Sequence, residues 1–180
     1  MTGRLIGVVG PSGAGKDTLM RALANASPDF ELVRRTITRA PDLGGEDFDA
    51  VTEEDFEARR RAGHFCIHWR AHGLRYGIPD QIRLRVGKGE QLLVNLSRDV
   101  LVDVATVFPC FAVLNVIASD QTLAARLSSR GRETDEDIAR RLARAGRALP
   151  DGLTIYTVSN DGAIEDAMDE ALALLHPVRA

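Results

Sequence analysis

The sequence is short of several residue types, and each shortage excludes something. Of its 180 residues two are cysteine, one is tryptophan and two are tyrosine. Cys66 and Cys110 lie far apart and match no metal or redox spacing, which excludes a zinc module and a disulfide scaffold. Both sit in apolar stretches and are expected to be buried structural thiols. No apolar run approaches the roughly 20 residues of a membrane span, and the opening LIGVVG is too short and too soon interrupted for a signal peptide. A cytoplasmic enzyme is therefore expected. A net charge of -3 argues against a nucleic-acid coat or an anionic-membrane binder, so neither partner is expected. Lysine is nearly absent. Lys16 and Lys88 are the only two, and arginine supplies the remaining positive charge. Repeats and low-complexity segments are absent too.

What remains is ordinary for a globular chain, 44% hydrophobic and 27% charged, and long enough for one core with an inserted subdomain. Arg4 to Val9 reads as a buried strand, and Lys16 to about Ala26 as a helix stopped by Ser27-Pro28. Glu31 to Thr38 reads as a second strand. Thr52-Glu53-Glu54-Asp55 resembles a capping box opening a helix that stops near Gly63. HFCIHWRAHGLRYGI suggests two strands turning near His72-Gly73. Pro79 suits the first turn of a short helix, and Gln91 to Leu96 is a further strand. A helix follows Ser97, and Phe111 to Ala118 is another strand. Ser119 and Thr134 suit helix N-caps. Thr154 to Val158 is a last strand, and Ala163 to Leu175 a closing helix with apolar spacing at Ala167, Leu172 and Leu175. Strands alternating with helices predict an α/β domain with a mainly parallel sheet.

The stretch that carries chemistry is GPSGAGKDT, residues 10 to 18. It follows an apolar strand and opens a helix, the context in which a glycine loop cradles phosphate on backbone N–H groups. Gly10, Pro11, Ser12, Gly13, Ala14, Gly15, Lys16, Asp17 and Thr18 are therefore candidate nucleotide-binding residues. Lys16 is expected to bridge the β- and γ-phosphates and to act in catalysis. The pattern normally continues with a hydroxyl that ligates magnesium, but Asp17 stands there. Three roles are open to Asp17: an acid favoured by the helix dipole, a magnesium contact direct or through water, or a bystander to Thr18 as hydroxyl ligand.

Taken together, GPSGAGKDT, TITRAP, EDFDAVTEEDF, HGLRYG, SRGRE and NDG resemble the guanylate kinase family from end to end. The resemblance implies a three-layer α/β/α P-loop fold with a mainly parallel five-stranded sheet, an inserted acceptor-binding subdomain and a helical lid. The expected division is a core of 1–35, 79–119 and 150–180, an insertion at about 36–78 and a lid at about 120–149. It implies ATP and Mg²⁺ as cofactors. Thr38, Arg39 and Tyr76 would lie at the acceptor phosphate, Arg130, Arg132 and Arg141 at the ATP phosphates from the lid, and Asn160 near the adenine. Arg130 and Arg141 join Lys16 as the expected catalytic residues.

The departures from the family are informative. Asp42 replaces the family's second acceptor arginine, Phe48 its tyrosine, and Asn95 the acid at the end of the third core strand. Ile67 occupies the place of the guanine-reading glutamate. Two unpaired guanine N–H donors facing Ile67 would cost about 2–6 kcal/mol, so GMP is expected to be a poor acceptor. GKD in the loop, ITR, VN-x-SR and RGRE instead resemble the branch that phosphorylates the 1-phosphate of ribose 1,5-bisphosphate. That branch makes 5-phosphoribosyl 1-diphosphate (PRPP) and ADP, and the resemblance suggests a place in phosphonate breakdown. An anionic acceptor needs no strong general base, so catalysis reduces to positioning, magnesium and positive charge.

Among Arg35, Arg39, Arg75 and Arg98, Arg39 and Arg98 are the expected contacts for the two acceptor phosphates, and Asn95 is grouped with them. Arg35 and Arg75 read as solvent-facing strand charges, His68 and His72 as exposed strand-turn histidines, and Trp69 and Phe65 as subdomain core. Of the arginines crowding the lid, Arg126, Arg140, Arg144 and Arg147 read as helix-face charges. The alternatives are a nucleoside monophosphate kinase, a non-catalytic binding module, or a sugar-hydroxyl kinase using Asp42 or Asp47 as base. A small-molecule substrate and a monomer or homodimer are expected.

Overall fold

The computed structural model describes residues 3–40, 46–129 and 148–176. In chain order its elements begin with β1 (Arg4–Val9), α1 (Lys16–Ala26), β2 (Phe30–Leu32), β3 (Arg35–Ile37) and β4 (Phe48–Ala50). Next come α2 (Glu53–Arg61), β5 (Phe65–Ala71), β6 (Leu74–Pro79), α3 (Gln81–Gly87) and β7 (Gln91–Asn95). A 3₁₀ turn (Arg98–Val100) leads into α4 (Leu101–Val107), β8 (Phe111–Ile117), α5 (Asp120–Ser129), β9 (Ile155–Ser159) and α6 (Ile164–Leu175).

Five strands form one parallel sheet in the order β2-β7-β1-β8-β9. Side chains alternate along each strand, so β1 feeds two cores. Ile6 and Val8 pack with Leu19 and Leu23 of α1 and Ala167 and Ala171 of α6. Leu5 and Val9 pack on the other face with Ile82 of α3 and Leu101 and Val104 of α4. Each fully buried aliphatic side chain contributes about 1.5–3 kcal/mol relative to exposure, so two such layers anchor the central strand. The arrangement is the expected three-layer α/β/α.

A second sheet, β4-β3-β6-β5, is built between Arg35 and Pro79. Its hairpin turns at His72 and Gly73, both left-handed at φ 52° and 75°, which is the twist a two-residue β-hairpin needs. Helix α2 lies against it. Thr52 caps this helix, its hydroxyl oxygen accepting from the Asp55 N–H at 3.1 Å. Acids fill the first turn of α2 and arginines its last, as the helix dipole favours. Phe56 of α2 is buried and stacks on Phe65 at 4.7 Å. The sheet is tied to the core by the Trp69 indole N–H, which donates to the Ser97 hydroxyl at 3.0 Å.

Some expectations are corrected. Glu31 to Thr38 is not one strand. β2 pairs with β7 and β3 with β6, and the chain changes sheets at Val33-Arg34. Apolar β-branched content predicts extended backbone but not which neighbour it joins. Pro79 ends β6 rather than starting a helix, and Asp80 precedes α3. Cys66 is half-buried but Cys110 is exposed, because it lies in the turn before β8. Leu172 is only partly buried, and Ala171 takes the core position beside it. Thr134 and Asp42 lie outside the described residues. Among the described residues no helix is long and apolar enough to cross a membrane.

Candidate active site

The C-terminal ends of β1, β7 and β8 point the same way, the edge at which parallel sheets bind ligands. The glycine loop leaves β1 there and closes into α1. Two glycines are required by shape. Gly10 has φ 151°, and a Cβ on it would fall 2.2 Å from the Val116 carbonyl oxygen. Gly15 has φ 86°, and a Cβ would fall 2.4 Å from the Asn160 side-chain nitrogen. The Ala14 N–H donates to the Pro11 carbonyl at 3.2 Å, closing the turn around Ser12 and Gly13. Lys16 arches back over the loop, with Nζ donating to the Gly10 carbonyl at 2.9 Å and to the Pro11 carbonyl at 3.0 Å.

Asp17 and Asn95 meet. The Asn95 amide donates to Asp17 Oδ1 at 3.0 Å, joining the first turn of α1 to the end of β7 across 78 residues of chain. Thr18 is exposed on the next helical position, so the two candidate magnesium contacts face different surroundings. Asn160 is 3% exposed and donates to the Ala14 carbonyl at 2.7 Å. It buttresses the loop from the end of β9. Beside it, Asp161 accepts from the Ser119 N–H at 2.7 Å, and this bond is the first cause holding its carboxyl down at about 2.

Arg126 belongs to this site although its charge reads from sequence as a helix-face residue. It extends from α5 and donates to the Gly13 carbonyl at 3.4 Å. Its neighbours Leu123 and Leu127 are buried against Gly13, which turns Arg126 toward the loop. That Leu-x-x-Arg-Leu spacing was the available signal. Arg130, Arg132 and Arg141 lie outside the described residues.

Of the acceptor candidates, Tyr76 lies in the second sheet, Thr38 and Arg39 follow its strand β3, and Arg98 follows β7. The Arg75 N–H donates to Thr38 Oγ1 at 2.9 Å, pinning Thr38 beside β6. Arg39 lies over the Phe48 ring at 4.3 Å. Tyr76 is 9% exposed and stacks on Trp69 at 5.2 Å. Burial pushes its hydroxyl above the ordinary value of 10, so it stays protonated at neutral pH and can donate. Arg98 is half-buried in the 3₁₀ turn one residue after Ser97. Ile67 is 7% exposed and packed in the core cluster with Ile78 and Val94, an apolar side chain without a polar handle.

Arg35 corrects the expectation of a solvent-facing charge. It is 4% exposed and forms a bidentate pair with Glu46. Neither residue carried a local signal, because the pair spans the loop between β3 and β4. Arg75 is likewise not solvent-facing, being tied to Glu53 at 3.1 Å and Glu57 at 3.0 Å. His68 and His72 are exposed as expected.

A cavity of about 100 Å³ is bordered by Asp17 and Arg21 of α1, by Arg34 before β3, and by Glu46 and Asp47 before β4. A larger concavity of about 640 Å³, walled by Thr36, Asp49, Arg59, His64 and Asp80, contains no residue of the glycine loop. The smaller one is the candidate cleft, because it alone of the two reaches the loop.

The description "guanylate kinase" belongs to the family model that matches residues 2–176. A protein of Ruegeria sp. (strain TM1040) named ribose 1,5-bisphosphate phosphokinase is 52% identical over 99% of this chain and 94% of its own length. One of the same name from Agrobacterium fabrum is 45% identical over 91% of each chain. Among solved structures, a guanylate kinase from Anaplasma phagocytophilum superposes with a TM-score of 0.71 at 18% identity, covering 97% of this chain and 85% of that one. At that identity the likeness concerns the fold alone.

Proposed function

The chain belongs to the guanylate kinase family, and on that premise we propose that it is an ATP-dependent kinase of ribose 1,5-bisphosphate, producing 5-phosphoribosyl 1-diphosphate and ADP. The observation that carries this reading is the near-full-length identity, 52% and 45%, to two proteins named for ribose 1,5-bisphosphate phosphokinase activity. Ile67 supports it, since a purine edge set against that side chain would leave its donors unpaired.

The residues fit the two cofactors the reading implies. A glycine loop that excludes any Cβ at Gly10 and Gly15 leaves backbone N–H groups free to approach phosphate oxygens closely. Magnesium between nucleotide phosphates keeps several waters and takes one or two protein carboxylates. A single acid, Asp17, therefore suffices, and among the described residues no cluster of three metal-ligating side chains exists. Bound magnesium would draw charge from the transferring phosphoryl group. Asn95 then has a defined task. A neutral amide at the end of β7 fixes Asp17 with one hydrogen bond, whereas a second carboxylate there would stand about 3 Å from the first and repel it.

Lys16 supplies the compact positive charge. Its contacts to loop carbonyls hold Nζ over the loop, from where it is in reach of a phosphate seated on the backbone. Arg126 offers a second cation on the opposite side, and Arg130, Arg132 and Arg141 would add charge from the lid. On the acceptor side Thr38, Arg39, Tyr76 and Arg98 supply donors for the two phosphates. The attacking oxygen belongs to a phosphate already ionised near neutral pH, so no proton need be removed and Asp47 is not needed as a base. Nothing further than alignment and charge is required.

The test is coupled ADP release with Mg-ATP, comparing ribose 1,5-bisphosphate with GMP and dGMP. The sugar bisphosphate is expected to be favoured at least about a hundredfold in kcat/KM. Preference for GMP would make the protein a nucleotide kinase, and ATP binding without ADP release would make it a binding module.

A further inference from the structure

Across the cleft from Asp17 stands Glu46, one half of an ion pair that the transfer chemistry does not use. The Arg35 and Glu46 side chains are 5% and 16% exposed. Arg35 Nε donates to Glu46 Oε2 at 3.0 Å and Nη2 donates to Oε1. The guanidinium carbon lies over two rings, 5.0 Å from the Tyr76 centroid and 5.7 Å from that of Trp69, and those two rings stack at 11°. Glu46 borders the cavity that Asp17 and Arg21 border from the other side. A carboxylate held by a buried arginine thus faces the candidate cleft.

Its chemistry selects what it can touch. An ionised carboxylate only accepts hydrogen bonds, with about four lone-pair positions, of which Arg35 takes two. It cannot hold a phosphate, and its pairing with Arg35 leaves the couple neutral, so it does not strongly repel an anionic sugar. The groups it can meet are hydroxyls. The other carboxylates bordering the cavity are committed or loosely held: Asp17 accepts from Asn95, and the 83% exposed Asp47 side chain lies 3.6 Å from Arg34. We infer that Glu46, aimed by Arg35, accepts hydrogen bonds from the ring hydroxyls of the sugar acceptor and makes the cleft prefer ribose to its deoxy analogues. Arg35 is the positioning residue, and the inference rests on the proposed acceptor.

The experiment measures kcat/KM for ribose 1,5-bisphosphate and its 2-deoxy and 3-deoxy analogues, with GMP as control. The proteins are the wild type, Glu46→Gln and the double variant Arg35→Met/Glu46→Met. The wild type is expected to prefer ribose over at least one analogue by about 10- to 100-fold, the scale of a hydroxyl lost from a charged acceptor. Both variants should bring that ratio toward one, chiefly by slowing ribose. If Glu46→Gln strands the buried Arg35 charge and fails to fold, the double variant decides, because it removes both charges together. A ratio that stays unchanged while ribose 1,5-bisphosphate is still turned over overturns this inference alone, leaving Glu46 a structural pin. So does a wild type indifferent to the hydroxyls. Turnover of GMP in place of the sugar overturns the functional reading and this inference with it.

Discussion

The phosphate loop takes its shape from nine consecutive residues, and side chains reach its backbone carbonyls from Lys16 within it and from Asn160 and Arg126 outside it. The wall facing it is assembled from Arg35, Glu46, Trp69 and Tyr76, whose side chains pair and stack across β3, β5, β6 and the residues before β4. A backbone cradle recognises what all triphosphates share and tolerates change in the side chains around it. A wall of paired and stacked side chains depends on a few residues, so few substitutions re-specify it. Of the departures from the family pattern, Asp42, Phe48 and Ile67 fall in the stretch of chain between β3 and β6, while Asp17 and Asn95 fall together beside the loop.

That contrast can be broken or sharpened by measurement. The largest effect belongs to Lys16, the cation within the cradle itself. Lys16→Met should lower kcat/KM about a thousandfold or more while leaving thermal stability nearly unchanged, since only a charge aimed at the transferring group is removed. A matching loss of stability in a melting curve would mean that the Lys16 contacts to Gly10 and Pro11 are structural instead. Next is Asp17→Ser, expected to cost about 10- to 100-fold at limiting magnesium and to recover as magnesium is raised. Full activity at limiting magnesium would reduce Asp17 to an acid favoured by the helix dipole.

The smallest effect separates anchoring by neutral hydrogen bonds from anchoring by an ion pair. Asp161, held first by the Ser119 N–H, and Glu57, held first by Arg60, each titrate at about 2, below ordinary values of 3.8 and 4.5. A lowered carboxyl pKa adds stability that is present above the ordinary value and lost as pH falls through about 2. In a carbon-13 NMR titration about 1 M salt should raise the Glu57 value, because an exposed ion pair is screened, and should leave Asp161 nearly unmoved. Equal responses would erase the distinction.

Much of this was legible before any coordinates. The sheet core followed from apolar runs of strand length, α1 from the glycine loop that opens it and the Ser27-Pro28 stop, α2 from its capping residue, and the hairpin from His72-Gly73. The loop followed from its own spacing, and the family resemblance pointed to Thr38, Arg39 and Tyr76. The single strand expected over Glu31 to Thr38 failed because β-periodicity does not say which sheet a strand joins. Arg126 escaped because seven nearby arginines looked alike in the chain, and only the burial of Leu123 and Leu127 turns this one toward Gly13.

By itself the sequence determined the fold class, the glycine loop and the apolar position at Ile67, since periodicity, caps and required φ angles are properties of neighbouring residues. Only the tertiary structure decided that Asp17 meets Asn95 and that Arg35 is buried under Glu46, Tyr76 and Trp69. The fate of a charge is set by the partners that desolvation forces on it, and those partners lie far away along the chain.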